Sequence, residues 1–220
     1  MKGVVATALA AGGLLLSGGA CRAREEGAGA AYVPPGTVTA PAAAADAGPA
    51  LPEPNKGIAV GEAAPDFALT DQTGKTVRLS QMRGEPVAIT FVYTRCPDAT
   101  ACPMTMAKFA KLNAALTREK LGRLLAVTVD PENDTPAVLA DYASKIGADP
   151  ERWKFLTGDP RALARVAENF GVLYYADHGK IVHGQAVAVV DPDGKLAAIY
   201  YGSDWEPEQI LKDLEKARKG

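Results

Sequence analysis

The stretch TRCPDATACPMTM, Thr94–Met106, holds two cysteines, each followed by proline, with five residues between Cys96 and Cys102. Thiols so placed offer three kinds of chemistry: a redox couple, a structural disulfide, or two soft donors for a metal ion. A staple gains little by closing so short a loop, which makes the structural disulfide the weakest of the three. Cys102 directly precedes Pro103, a residue suited to the first turn of a helix. That puts Cys102 at a helix cap, beside unpaired N–H groups and the positive end of the dipole, where thiolate is favoured. Arg95, next to Cys96, adds positive charge. A five-residue loop lets Cys96 close a disulfide with Cys102 or open around a soft ion.

A metal needs more donors than two. The chain has two histidines, His178 and His183, both in YYADHGKIVHGQAVAVV. His183 comes just before a strand that leads into the turn DPDG. If that strand neighbours the strand before the cysteines, its leading end faces the cysteine loop and His183 completes a Cys-Cys-His set. Two thiolates and one imidazole suit Cu(I), which prefers soft, low-coordinate sites; zinc would usually take a fourth ligand. Other candidates have plainer roles. Asp98 suits a turn, Asp130 and Asp134 suit turn or cap positions beyond a strand end, and Met104 and Met106 have helical core spacing. Trp153 and Trp205 are packing residues.

The elements that must position these side chains are legible in the pattern. APDFALTDQTGKTVRLSQM reads as an N-terminal hairpin, with Phe67, Leu69, Val77 and Leu79 alternating around Gln72-Thr73-Gly74. Val87–Thr94 is a continuous β-branched run, as in a strand buried on both faces. A helix follows from Pro103 to about Leu121, then a second buried strand over Leu124–Val129. Asp134 or Thr135 caps a helix with Pro136 in its first turn, reaching about Ile146. Trp153–Leu156 is a short strand, Arg161–Phe170 a helix, Ala186–Val190 and Leu196–Tyr201 a hairpin around DPDG, and Glu206–Lys219 a terminal helix. Strands alternating with helices predict an α/β domain with a central sheet between helices. A cysteine pair that ends a central strand and opens a helix narrows this to the thioredoxin-like class.

The N-terminus is different. MKGVVATALAAGGLLLSGGAC has one early lysine, an apolar stretch from Val4 to Leu16, and small residues before Cys21. This is the form of an export signal, residues 1–21, and the small residues before Cys21 resemble a bacterial lipobox, which would lipidate that cysteine. Arg22 to Lys56 is rich in Ala, Pro and Gly and reads as a disordered tether. The globular part is residues 57–220, enough for one core. Export places its two cysteines where disulfides can persist. The formal net charge of the 220-residue chain is −2, which argues against a nucleic-acid partner. No apolar run is long enough to span a bilayer as a mature helix.

FVYTRCPDATACP, VTVDPENDTPAVLADYA and HGQAVAVVDPDGKL together resemble the Sco/SenC family of thioredoxin-like copper proteins. The specific features are DPENDTP at this distance from the cysteines and a histidine eight residues before DPDG. The resemblance implies that Cys96, Cys102 and His183 bind copper, while His178 has no counterpart and belongs to the surface. It implies a metallochaperone of the cell envelope that delivers copper to a respiratory oxidase; a lipidated Cys21 would anchor it on the periplasmic side of the membrane. Its partners would be a respiratory oxidase subunit with a copper site and a thiol reductant of the envelope. The best-known members have three residues between the cysteines; the five here resemble a bacterial subgroup with longer loops. Two other functions remain open. One is a thiol–disulfide oxidoreductase that keeps a partner's copper-site cysteines reduced, using either cysteine as the attacking group. The other is a redox or copper sensor. Thioredoxin-like oxidoreductases generally carry a cis-proline before the strand facing the cysteines. No proline occurs between Gly179 and Val190, and this favours metal holding.

Overall fold

The chain lays down two short strands first, β1 (Ala68–Asp71) and β2 (Thr76–Arg78), paired so that Leu69 and Val77 face each other and both are buried. This is the expected N-terminal hairpin. The computed structural model describes residues 57–219; the expected export signal, Cys21 and the tether lie outside the described residues. A 3-10 turn over Leu79–Met82 leads into β3 (Val87–Val92), whose six residues are all buried. A strand with no exposed residue must be covered on both faces, which is what its unbroken apolar run predicts.

The remaining elements are α1 (Cys102–Glu119), β4 (Arg123–Thr128), α2 (Pro136–Lys145), β5 (Trp153–Thr157), α3 (Pro160–Asn169), β6 (Tyr174–Asp177), β7 (Lys180–His183), β8 (Ala186–Val190), β9 (Leu196–Tyr201) and α4 (Pro207–Lys219). Seven strands form one mixed sheet in the order β2-β1-β5-β4-β3-β8-β9. β3, β4 and β5 run parallel, with α1 and α2 as their crossovers, and the outer strands are antiparallel. An aromatic chain, Trp205–Phe109–Trp153–Phe155–Tyr142, links α1, β5, α2 and the approach to α4, with ring centroids 5.0–6.0 Å apart. Phe91 of β3 instead meets Phe170 at the end of α3. Trp153 and Trp205 are therefore packing residues, as expected.

Helix ends follow local chemistry. Lys120 adopts a left-handed φ of 49° and its N–H returns to Leu116 O, so α1 stops short of Leu121. Asp159 caps α3 by accepting from the amides of Arg161 and Ala162 at 3.0 and 3.1 Å. No helix among the described residues is long and apolar enough to cross a membrane.

One element was not foreseen. β6 and β7 form a separate two-stranded sheet, joined by a tight turn in which His178 and Gly179 both have positive φ, 45° and 77°. Its strands are four residues each and its inner face, Tyr174, Ile181 and His183, is only half-buried, so the alternation is too short and too weak to read from sequence.

Candidate metal centre

The site lies where β3 ends. β8 pairs antiparallel with β3, Thr90 opposite Val187, so the start of β8 stands beside the end of β3. The Thr90 hydroxyl donates to Ala186 O at 3.0 Å and locks that register in the core. Whatever precedes Ala186 is thereby delivered to the cysteine loop, as the sequence predicts.

The loop itself is a folded turn. The Cys96 amide donates to Tyr93 O at 3.4 Å, and the Ala101 amide to Asp98 O at 3.1 Å. The Asp98 carboxylate accepts from the Thr100 amide at 2.8 Å and the Thr100 hydroxyl at 2.6 Å. These bonds hold the Asp98 carboxyl below its usual value and confirm its turn role. The Cys96 thiol is half-buried and lies 3.8 Å from Asp98 O. The five-residue gap is thus folded on itself rather than slack.

Cys102 is the first residue of α1 and only 3% exposed. Its Sγ stands 3.4 Å from His183 Nε2, across 81 residues of sequence. His183 Nδ1 lies 2.9 Å from Gly184 O. A carbonyl can only accept, so Nδ1 carries the proton and Nε2 turns its lone pair to Cys102. This is the tautomer a metal-binding imidazole requires, oriented by a backbone carbonyl. Burial also keeps the His183 imidazole below its usual pKa, which favours the neutral ligand form.

The thiolate expected at Cys102 is not what the structure supports. Burial pushes the Cys102 thiol up to about 12, and the neighbouring Cys96 thiol acts in the same direction. Desolvation outweighs the backbone groups of Tyr93 and of Cys102 itself, which act the other way. The resting pair is a neutral thiol donating to a neutral imidazole, and a metal would have to displace the thiol proton. The Arg95 guanidinium bonds Asp130 Oδ2 at 3.0 Å, so its charge is paired with a carboxylate.

Cys102 and His183 are therefore brought together, with Cys96 on the more exposed side of the pair. Both cysteines are free thiols. Among the described residues, no three or more His, Cys, Asp or Glu side chains are already gathered as a metal cluster. The S···N separation of 3.4 Å is one that an ion with bonds of roughly 2.0 Å to nitrogen and 2.3 Å to sulfur can bridge. His178 stays apart at the hairpin turn, its side chain 97% exposed and 3.6 Å from Asp177. Met106 is core, as its spacing indicated.

Three features of the site escaped the sequence reading. Tyr93 is buried at the end of β3, its ring edge-on to His183 with centroids 5.8 Å apart. Burial, and then the Cys96 thiol, raise its phenol above the usual value. Asp130 pairs with Arg95 of the cysteine loop rather than serving only its own turn, and also accepts from Asn133 Nδ2 at 2.8 Å. Of the two caps the sequence offers for α2, Thr135 is the one used, its hydroxyl oxygen accepting from Val138 N–H, and the role of Asp134 is the third feature. Asp134 is fully buried and bonds to Thr94 and Thr128. A bond from residue 134 to residue 94 leaves no local signature in sequence.

The family model described as SCO1/SenC matches residues 56–219. Among solved structures, the chain is similar to BsSco, a member of the Sco family of cytochrome c oxidase assembly proteins in which a disulfide switch has been identified. The two share 29% identity over 71% of this chain and 93% of that one, with a TM-score of 0.62. A SCO1/SenC family lipoprotein from Bacillus anthracis is 28% identical over 70% of this chain and 94% of its own, with a TM-score of 0.64. Bradyrhizobium japonicum ScoI with copper bound is 29% identical over 71% of this chain and 99% of its own, with a TM-score of 0.58. The thioredoxin-like fold expected from the sequence is the fold of these neighbours.

Proposed function

The chain belongs to the SCO1/SenC family, and from that premise we propose that it is a copper-binding metallochaperone that delivers copper to a respiratory oxidase during assembly of its copper site. The copper-bound Bradyrhizobium relative supports copper as the cargo, and the oxidase-assembly role of BsSco supports the destination. Cys96, Cys102 and His183 would hold the ion. The observation that carries this assignment is the 3.4 Å approach of Cys102 Sγ and His183 Nε2. It joins a soft donor to a correctly oriented imidazole, with a second thiol on the adjoining loop. Cu(I) suits such a set. Binding requires reduced cysteines, so a thiol reductant of the envelope gates it. Lys2, the apolar stretch after it and Cys21 support export and a lipid anchor on the periplasmic side, with residues 22–56 as the tether; the Bacillus anthracis relative is itself a lipoprotein. A tether of that length would let the domain reach a membrane-embedded partner.

The test is a titration of the reduced protein with Cu(I), with His183→Ala beside it. One tightly bound equivalent is expected, and the variant should lose it. Equal affinity in the variant would remove His183 from the ligand set.

The greater exposure of Cys96, half-buried where Cys102 is buried, favours one form of the oxidoreductase reading. Cys96 would attack a partner disulfide, release one partner thiolate and form a mixed disulfide. Cys102 would then attack Cys96, release the second partner thiol and leave a Cys96–Cys102 disulfide for the reductant. Both readings need the Cys102 thiolate, but only metal holding uses His183, whose Nε2 stands 3.4 Å from Cys102 Sγ, and that makes it the better reading.

A further inference from the structure

Asp134 is a carboxylate with 0% exposure that neither metal holding nor thiol exchange uses directly. Its Oδ1 accepts from the Thr94 hydroxyl at 2.5 Å. Its Oδ2 accepts from the Thr94 amide at 3.1 Å and from the Thr128 hydroxyl at 2.6 Å. Its own amide donates to Asp130 O at 2.8 Å, and the next residue caps α2. One side chain thus ties together the end of β4, the start of α2 and the residue two before Cys96.

A buried carboxylate is costly, and an apolar group of similar size would fill the same space at lower cost. What the carboxylate adds is direction. It takes both the backbone and the side-chain donor of Thr94, which fixes that residue's amide plane and hydroxyl together. The chain leaves β3 at this point, so the bond pair sets the line along which it travels to Cys96. Cys102 needs no such help, because it is held by the core and by α1. The Arg95–Asp130 pair gives weaker support, since the Arg95 side chain is 59% exposed.

We propose that Asp134, acting through Thr94, is the positioning residue for Cys96, and that it sets where the first thiol stands relative to Cys102 and His183. The copper half of this inference rests on the chaperone reading above; the thiol half does not.

The experiment uses the full-length reduced protein with Thr94→Val, which removes the hydroxyl and keeps the amide, and Thr94→Ser as the conservative rescue. Cu(I) affinity is read by competition with a Cu(I) chelator. Disulfide closure is read against a glutathione buffer, in which two protein thiols and one oxidised glutathione exchange for one protein disulfide and two reduced glutathiones. Thr94→Val should weaken Cu(I) binding about tenfold, the size typical of a lost outer hydrogen bond at a metal site. It should also move the disulfide equilibrium by roughly fivefold or more, and Thr94→Ser should restore both. In a Cys96→Ser background the same Thr94→Val should cost no further Cu(I) affinity. An equal loss in that background, or no loss in the native one, overturns the proposal. If Cys96→Ser itself leaves Cu(I) affinity unchanged, the copper reading fails and the glutathione equilibrium decides alone: a shift in Thr94→Val that Thr94→Ser reverses upholds the role of Asp134, and an unshifted equilibrium overturns it. Should Thr94→Val not fold, Asp134→Asn takes its place in the same measurements.

Discussion

Cys102 and His183 meet at 3.4 Å, yet they stand on opposite kinds of scaffold. Cys102 opens α1 after β3, a strand with every residue buried and with β4 and β8 hydrogen-bonded on its two sides. His183 ends β7, in a hairpin outside the main sheet whose Tyr175 and Val182 are 55% and 42% exposed. A two-stranded hairpin alone is marginal in water. This one is tied to its surroundings by the Tyr174 hydroxyl, which donates to Pro160 O at 3.5 Å, and by the contacts of His183 with Cys102 and Tyr93. One donor is therefore fixed by the core, and the other is carried on an arm with little packing of its own. That asymmetry suits a site that must accept an ion and then give it up, because the arm can yield without disturbing the sheet.

The comparison is broken most directly through stability. Phe91 is 2% exposed and packs on Phe170 beneath the cysteine end of β3. Phe91→Ala should lower the free energy of unfolding by about 3–5 kcal/mol in a urea titration. A loss below about 1 kcal/mol would mean that the β3 arm is no firmer than the hairpin.

The two regions also differed in how far their sequences announced them. β8 and β9 run over the expected residues, because DPDG is a strong turn signal between two apolar runs. β6 and β7 have a His-Gly turn, which is a weaker signal than Asn-Gly or Asp-Gly, and an inner face that is only half-buried. The same division runs through the site. Cys96, Cys102 and His183 stood out by residue type, and the β3–β8 pairing that joins them is the one a thioredoxin-like sheet implies. The state of Cys102 did not follow, because sequence gives the helix start but not the depth of burial, and burial decided the outcome. Tyr93 and Asp134 looked like ordinary strand-end and turn residues until long-range packing gave them partners.

Two glycines sharpen the contrast at a smaller scale. Gly122, between α1 and β4, has φ +64°, and Gly179 in the hairpin turn has φ +77°. A Cβ on Gly122 would stand 2.5 Å from Pro86 O, a backbone atom, whereas one on Gly179 meets nothing within 4 Å. Gly179→Ala should cost only the left-handed backbone penalty, about 1–2 kcal/mol. Gly122→Ala should cost more, because Pro86 must also move while its carbonyl accepts the Arg123 amide at 3.0 Å. Paired urea titrations read the difference, and equal losses would place the hairpin turn under the same packing constraint as the core.

The smallest effect belongs to the outer face of the arm. Val182 precedes His183, and successive strand residues point to opposite faces. Since His183 faces Cys102, Val182 faces away, opposite Tyr175 on β6. Its packing is one exposed cross-strand pair. Val182→Ser should therefore change unfolding free energy by about 0.5 kcal/mol or less and leave Cu(I) affinity within roughly twofold, well short of the tenfold step typical of a lost outer bond at a metal site. A stability loss well above 1 kcal/mol would show that the outer face is packed after all. A weakened Cu(I) site at unchanged stability would show instead that the register of β7, rather than the core beneath it, sets the position of His183.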